Sequence, residues 1–194
     1  VSESRPPPSP PPGPPPPPSD SSRVSLDALI RHVVDAHHRP TLALGAALRG
    51  HAAEACARHG RDAPYLHEVR RLLDRHFTEL ERHFVREEQV VFPYVLGLLD
   101  AHGGHAELPR APFQRLGGPL RVLRDEHAAE VALLGRVERL TSGVRLPPRA
   151  CDRWTALYEG LRAHTSDLAR HHDLEELALF PRAEALERAL HGDP

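Results

Sequence analysis

Two stretches of the chain place the same residue types at the same offsets. The first runs His76-x-x-x-Leu80-x-Arg82-His83-x-x-x-Glu87-Glu88-x-x-x-Phe92-Pro93. The second runs His164-x-x-x-Leu168-x-Arg170-His171-x-x-x-Glu175-Glu176-x-x-x-Phe180-Pro181. Residues four apart on a helix are separated by about 40° around the axis and about 6 Å along it, so they point the same way. His83 and Glu87 therefore share a face, as do His171 and Glu175. Turned inward, the two faces would gather two imidazoles and two carboxylates in one core. Such groups are costly to bury unless something compensates them. A pair of cations would, because each carboxylate has two oxygens and can bridge two ions. A mixed nitrogen and oxygen donor set suits iron or manganese better than thiolate-seeking metals. One His-x-x-x-Glu is more often an exposed polar pair. Two copies in register favour the metal reading.

Matching partners precede both copies. His127 lies 44 residues before His171, and His38 lies 45 before His83. The chain thus reads as two related helical hairpins, each giving one His from its first helix and a His-x-x-x-Glu from its second. His76 and His164, seven residues before the candidate ligands, read as core or outer-layer groups about 10 Å away. His32, His37, His51, His67, His102, His105, His172 and His191 read as surface or local structure.

Helices must carry these residues, and the sequence marks four. The first starts after Ser25, with Leu26, Leu29, Ile30, Val33 and Val34 on one face. Pro40, Gly45, Gly50 and Gly60 interrupt the stretch beyond it. The second runs from about Pro64 to about Leu99, the third from Pro119 to about Leu140, and the fourth to about His191. The expected fold is all-α, an up-down four-helix bundle over residues 23–192. Residues 1–22 are set apart, since eleven of the 21 prolines fall in the first 20 residues. That composition favours polyproline II or disorder, so a disordered tail is expected.

Composition narrows the function. The net charge is −2 with acids and bases interspersed, unlike the basic stripe of a nucleic-acid binder. No apolar run is long enough to span a membrane. The two cysteines, Cys56 and Cys151, form no CxxC, which excludes a disulfide framework or a Cys-ligated zinc site and fits a reducing, cytoplasmic setting.

Through these motifs, residues 26–186 resemble the hemerythrin-like domain of the repair-of-iron-centres family. The resemblance rests on Ala36-His37-His38, Arg58-His59, the run from Glu81 to Pro93, and Asp125-Glu126-His127. It continues through Ala150-Cys151-x-x-Trp154-x-x-x-Tyr158-x-Gly160, Leu174-Glu175 and Leu179-Phe180-Pro181-Arg182-Ala183. It implies a non-haem centre of two Fe ions with an oxo or hydroxo bridge. The implied terminal ligands are His38, His59, His83, His127 and His171, with Glu87 and Glu175 bridging. Glu79 and Glu126 match acidic positions beside the site, as outer-layer or proton-handling groups. His59 enters through the resemblance. On one straight helix it would lie about 31 Å from His38, and only a fold-back near Pro40, Gly45 and Gly50 would bring it close. The chain departs from the family in its proline-rich start, where a small cysteine-bearing domain is usual. It departs again at Pro40 and Gly45, and at Glu176-Leu177, where asparagines are common. The last two are expected to affect packing more than metal binding.

The resemblance implies repair of iron–sulfur clusters damaged by nitrosative or oxidative stress, with damaged cluster proteins as partners and NO or O₂ as small ligands. The alternatives are an NO-reducing di-iron enzyme and a hemerythrin-like O₂ or NO sensor. No nucleic-acid or membrane partner is expected, and a homodimer is allowed.

Overall fold

The computed structural model describes residues 24–192, and the expected proline-rich tail lies outside them. Among the described residues the fold is all-α, with four rods. Rod one joins α1 (Leu26–His32), a π-helical turn (Val33–His38) and α2 (Arg39–His59). Rod two joins α3 (Tyr65–Arg86), a π turn (Glu87–Val91) and α4 (Phe92–His102). Rod three is α5 (Gly117–Leu140). Rod four joins α6 (Asp152–Leu174), a π turn (Glu175–Leu179) and α7 (Phe180–His191). Helix α2 packs on α3 and α6, α3 on α5, and α4 on α7.

The π turns have a cause in the sequence. The N–H groups of Arg39, Phe92 and Phe180 donate to carbonyls five residues back, on Val34, Glu87 and Glu175. Each of these residues is followed by a proline: Pro40, Pro93 and Pro181. A proline inside a helix has no N–H to give, and its ring crowds the carbonyl four residues back. A single π turn absorbs the mismatch by taking in one extra residue, and the rod continues. Helix α5 has no proline beyond its first turn and no π turn.

Pro40, Gly45 and Gly50 therefore do not break rod one, contrary to the sequence expectation. The π turn before Pro40 accommodates its missing N–H and its ring, as at Pro93 and Pro181. Gly45 is a crossing point: a Cβ there would lie 2.6 Å from Cδ1 of Phe77 on α3. Gly160 on α6 serves likewise, since its Cβ would lie 2.6 Å from Cδ2 of Leu48 on α2. Both glycines let rods approach closely.

Two apolar clusters fill the bundle. One, including Leu48, Leu73, Phe77, Leu157 and Tyr158, occupies the half formed by α2, α3, α5 and α6. The other, including Leu29, Val95, Leu98, Leu120 and Phe180, occupies the half formed by α1, α4, α5 and α7. The duplicated histidines and glutamates lie between them, where the π turns meet the α-helices. No described helix is long and apolar enough to cross a membrane.

Candidate metal centre

Six side chains converge there from all four rods, and none is more than 5% exposed: His38, His83, Glu87, His127, His171 and Glu175. They form two groups of four that share both glutamates. His38 and His171 complete one group, His83 and His127 the other, and within each the ligand-type atoms lie within 4.8 Å of one another. The two imidazoles of a group face each other through Nε2, at 3.3 Å for His38 and His171 and 3.2 Å for His83 and His127.

Each carboxylate spans the two groups. Glu87 turns Oε2 to His38 Nε2 at 3.3 Å and Oε1 to His83 Nε2 at 3.4 Å. Glu175 turns Oε1 to His171 Nε2 at 3.1 Å and Oε2 to His127 Nε2 at 3.2 Å. These are ion-pair distances, and none of the four oxygens has a hydrogen-bond partner although all are buried. Orphaned carboxylate oxygens in a dry core are expensive. Converging nitrogens and oxygens of this kind fit a pair of cations of the hard or borderline class.

The outer ring nitrogens are held from behind. His38 Nδ1 donates to Glu88 at 2.7 Å, His83 Nδ1 to Glu126 at 2.9 Å, and His127 Nδ1 to Glu176 at 2.9 Å. A bond at Nδ1 keeps a proton there and turns Nε2 inward as the atom that can give its lone pair to a cation once its own proton is displaced. Glu126 is itself paired with Arg86, and Glu176 accepts from Arg124 Nε at 3.0 Å. Aromatic rings brace the same imidazoles. Phe84 stacks on His38 with centroids 4.0 Å apart, and His172 stacks on His127 at the same distance.

The charges reflect this packing. Burial opposes protonation of His83, but Glu87 and Glu126 outweigh it and push its pKa up to about 11. Burial also opposes charge on His38 and His127, and neighbouring glutamates again raise both. Burial dominates at His171 and lowers it. Burial disfavours the Glu175 carboxylate, yet His171 and His127 hold its carboxyl well below the usual range. Protons thus occupy the places a cation would take, and cation binding must displace them.

The structure does not bring His59 to this cluster. It ends the unbroken helix α2, so it lies about 30 Å from His38, with its ring 5.0 Å from that of Trp154. The fold-back that would have carried it inward does not occur. Glu79 is also outside, paired at the surface with Arg75 at 2.8 Å. Glu126 does touch the site, through His83. It lines a cleft of about 320 Å³ between α3 and α5, shared with Arg75, Glu79, Arg82, Arg86 and Glu130.

Other residues take a role that the sequence does not announce. His37 and His172, expected at the surface or in local structure, are buried. His37 stacks on His171 with ring centroids 5.3 Å apart and bonds Asp167 through Nδ1 at 3.2 Å. His172 bonds Glu130 through Nε2 at 3.1 Å. Glu176, expected to affect packing, holds a candidate ligand instead. A signal for this layer exists in the doubling: His37-His38, Glu87-Glu88, His171-His172 and Glu175-Glu176 each set a second polar residue beside an inward one. His76 and His164 form a separate buried pair, Nε2 to Nε2 at 2.7 Å.

Known proteins are similar to this chain over part of its length. The iron-sulfur cluster repair proteins YtfE of Salmonella newport, Salmonella heidelberg and Salmonella agona are each 32% identical to the chain over 105 residues, covering 54% of it. The chain spans only 42% of the length of these relatives. Residues 29–183 match the model of the hemerythrin HHE cation-binding domain. With that match over most of its length, the chain belongs to the hemerythrin HHE cation-binding family.

Proposed function

We propose that the chain binds two iron ions and serves in the repair of iron–sulfur clusters damaged by nitrosative or oxidative stress. The observation that carries the two-ion part is the pair of orphaned carboxylates, each reaching two histidine groups. In this reading Glu87 and Glu175 bridge the ions, His38 and His171 complete one position, and His83 and His127 complete the other. His59 has no part in it. Bound iron would supply electrons and an affinity for NO or O₂. The chain's own residues hold the ring planes, keep the Nδ1 protons on the outer nitrogens and seal the site between two apolar clusters.

The repair role is supported by the likeness to the Salmonella cluster repair proteins. The clients would then be damaged cluster proteins, reached in a reducing cytoplasm. The test is restoration of activity to an NO-damaged cluster enzyme by the iron-loaded protein. Recovery with wild-type protein, and none with Glu87→Ala, is expected. Equal recovery with free ferrous iron at the same concentration would remove the repair reading.

One observation favours a second reading, an NO-reducing enzyme. Glu126 joins His83 to the cleft between α3 and α5, which gives protons a path from the surface toward one position. Sustained NO consumption with a reductant, slowed by Glu126→Gln, would mark that activity.

A further inference from the structure

The two hairpins place equivalent residues over equivalent rings, but with different chemistry. The residue after His83 is Phe84, and the residue after His171 is His172. Phe84 lies over His38 at 4.0 Å and 9°, and His172 lies over His127 at 4.0 Å and 19°. Three residues past His38 stands Thr41, and three past His127 stands Glu130, both buried. A phenyl ring and a threonine thus occupy those places in one half, where the imidazole–carboxylate pair against a candidate ligand, His37 with Asp167 over His171, has a more exposed carboxylate that is shared with Arg170. In the other half an imidazole bonded to a buried carboxylate occupies those places, Nε2 to Oε2 at 3.1 Å.

Packing does not demand that exchange, and burying the polar pair has a desolvation cost. The Glu130 carboxylate is bonded to His172 and so lies one stacked ring away from His127, whose Nε2 turns to the candidate cation position. A negative charge there, in a medium of low dielectric, favours a cation in front of the ring. The bond to Glu130 also fixes the plane of His172, and the stack fixes the plane of His127. We propose that His172 and Glu130 are a positioning pair for His127, and that they make the His83/His127 position the tighter of the two for a divalent cation. This rests on the two-ion reading above.

The test is titration of the metal-free full chain with Co²⁺, read by calorimetry and by the visible bands of the bound ion. Wild-type protein is expected to fill in two steps. His127→Ala should remove the tighter step and His38→Ala the weaker. Glu130→Gln should weaken the tighter step about tenfold and leave the weaker step in place, and Glu130→Asp should restore it. A double variant, His172→Phe with Glu130→Thr, copies the first half into the second and should bring the two steps together. If it does not fold, Glu130→Gln, which keeps the side-chain size, still decides. A purely structural pair would lower the melting temperature in Glu130→Gln and leave the tighter step unmoved, which overturns the proposal. So would loss of the tighter step in His38→Ala rather than in His127→Ala. A wild-type chain that takes up no Co²⁺ would instead overturn the two-ion reading itself, and this inference with it.

Discussion

His38 and His127 sit at equivalent places in the two hairpins, and both give Nδ1 to the glutamate just past a spanning carboxylate, Glu88 and Glu176. One layer further out the halves part. The residue before His127 is Glu126, which holds His83 by a hydrogen bond, whereas the residue before His38 is His37, which stacks on His171. The backbones differ too, since His38 ends a π turn and His127 lies inside an unbroken α-helix. The inward atoms nonetheless meet at nearly equal distances, 3.3 and 3.2 Å between facing Nε2 atoms. The comparison separates two kinds of constraint. Donor atoms that must converge on a small volume tolerate little change. The residues behind them need only supply a hydrogen bond or a flat face, which several side chains can do.

The inner ring should respond symmetrically. Each carboxylate serves both positions, so Glu87→Ala and Glu175→Ala should each lower bound metal from two ions to well below two per chain, to the same degree. Metal analysis of both variants under identical loading measures this. If one variant held both ions with an unchanged visible spectrum while the other lost them, the shared-bridge geometry would be wrong.

Acid should expose a contrast between the centre and the nearby histidine pair. Burial, reinforced by His164, pushes His76 down to about 3, and burial pushes His164 down to about 4. Both are neutral in the fold and take up protons near 6.5 when unfolded. Their contribution to stability is complete above pH 6.5 and is lost as pH falls toward 4 and then 3. The slope is up to about 1.4 kcal/mol per pH unit for each ring. His83 and His38, whose values are raised, have the opposite sign: their contribution is complete below 6.5 and is lost as pH rises. The double variant His76→Leu/His164→Leu, metal-free, should therefore lose less stability than wild type between pH 6.5 and 4. Denaturant unfolding at several pH values reads it, and curves of equal slope would count against the pair. The same variant should still bind two ions, because neither ring faces the centre.

Glu88→Gln and Glu176→Gln probe the outer layer where the halves agree. Each should weaken its own position about tenfold, with the other position unchanged. A much larger loss for one would show that the likeness of the halves ends at the inward atoms.

The duplicated motif makes much of this legible from the sequence. Four helices, their inward histidines and the two spanning glutamates emerge from offsets of four and of 44 or 45 residues, because helical geometry turns sequence distance into direction. The outer layer does not emerge in the same way. Whether Glu176 faces solvent or His127 depends on the rotation that a π turn adds, and periodicity alone does not encode that rotation. Pro93 and Pro181 mark a kink, but only the carbonyl five residues back shows how it is made. Gly45 misleads for a different reason. A glycine reads as a breaker when its neighbour in space is unknown, and as a close-packing residue once Phe77 is seen against it.

His59 gives the smallest effect and the sharpest separation of likeness from geometry. The family resemblance makes it a ligand, yet helix α2 carries it to the far end of the bundle, beside Trp154. Its Nε2 is buried without a hydrogen-bond partner there, so it contributes packing rather than a polar contact. His59→Ala should therefore leave two ions per chain and an unaltered spectrum. Loss of contact with the Trp154 ring should cost about 1 kcal/mol, a fall of about 2–4 °C in melting temperature for a domain of this size. Metal analysis and thermal unfolding of the same preparation read both quantities. Loss of an ion on this substitution would mean that rod one bends back in solution, and that the unbroken helix from Arg39 to His59 is not the form that binds metal.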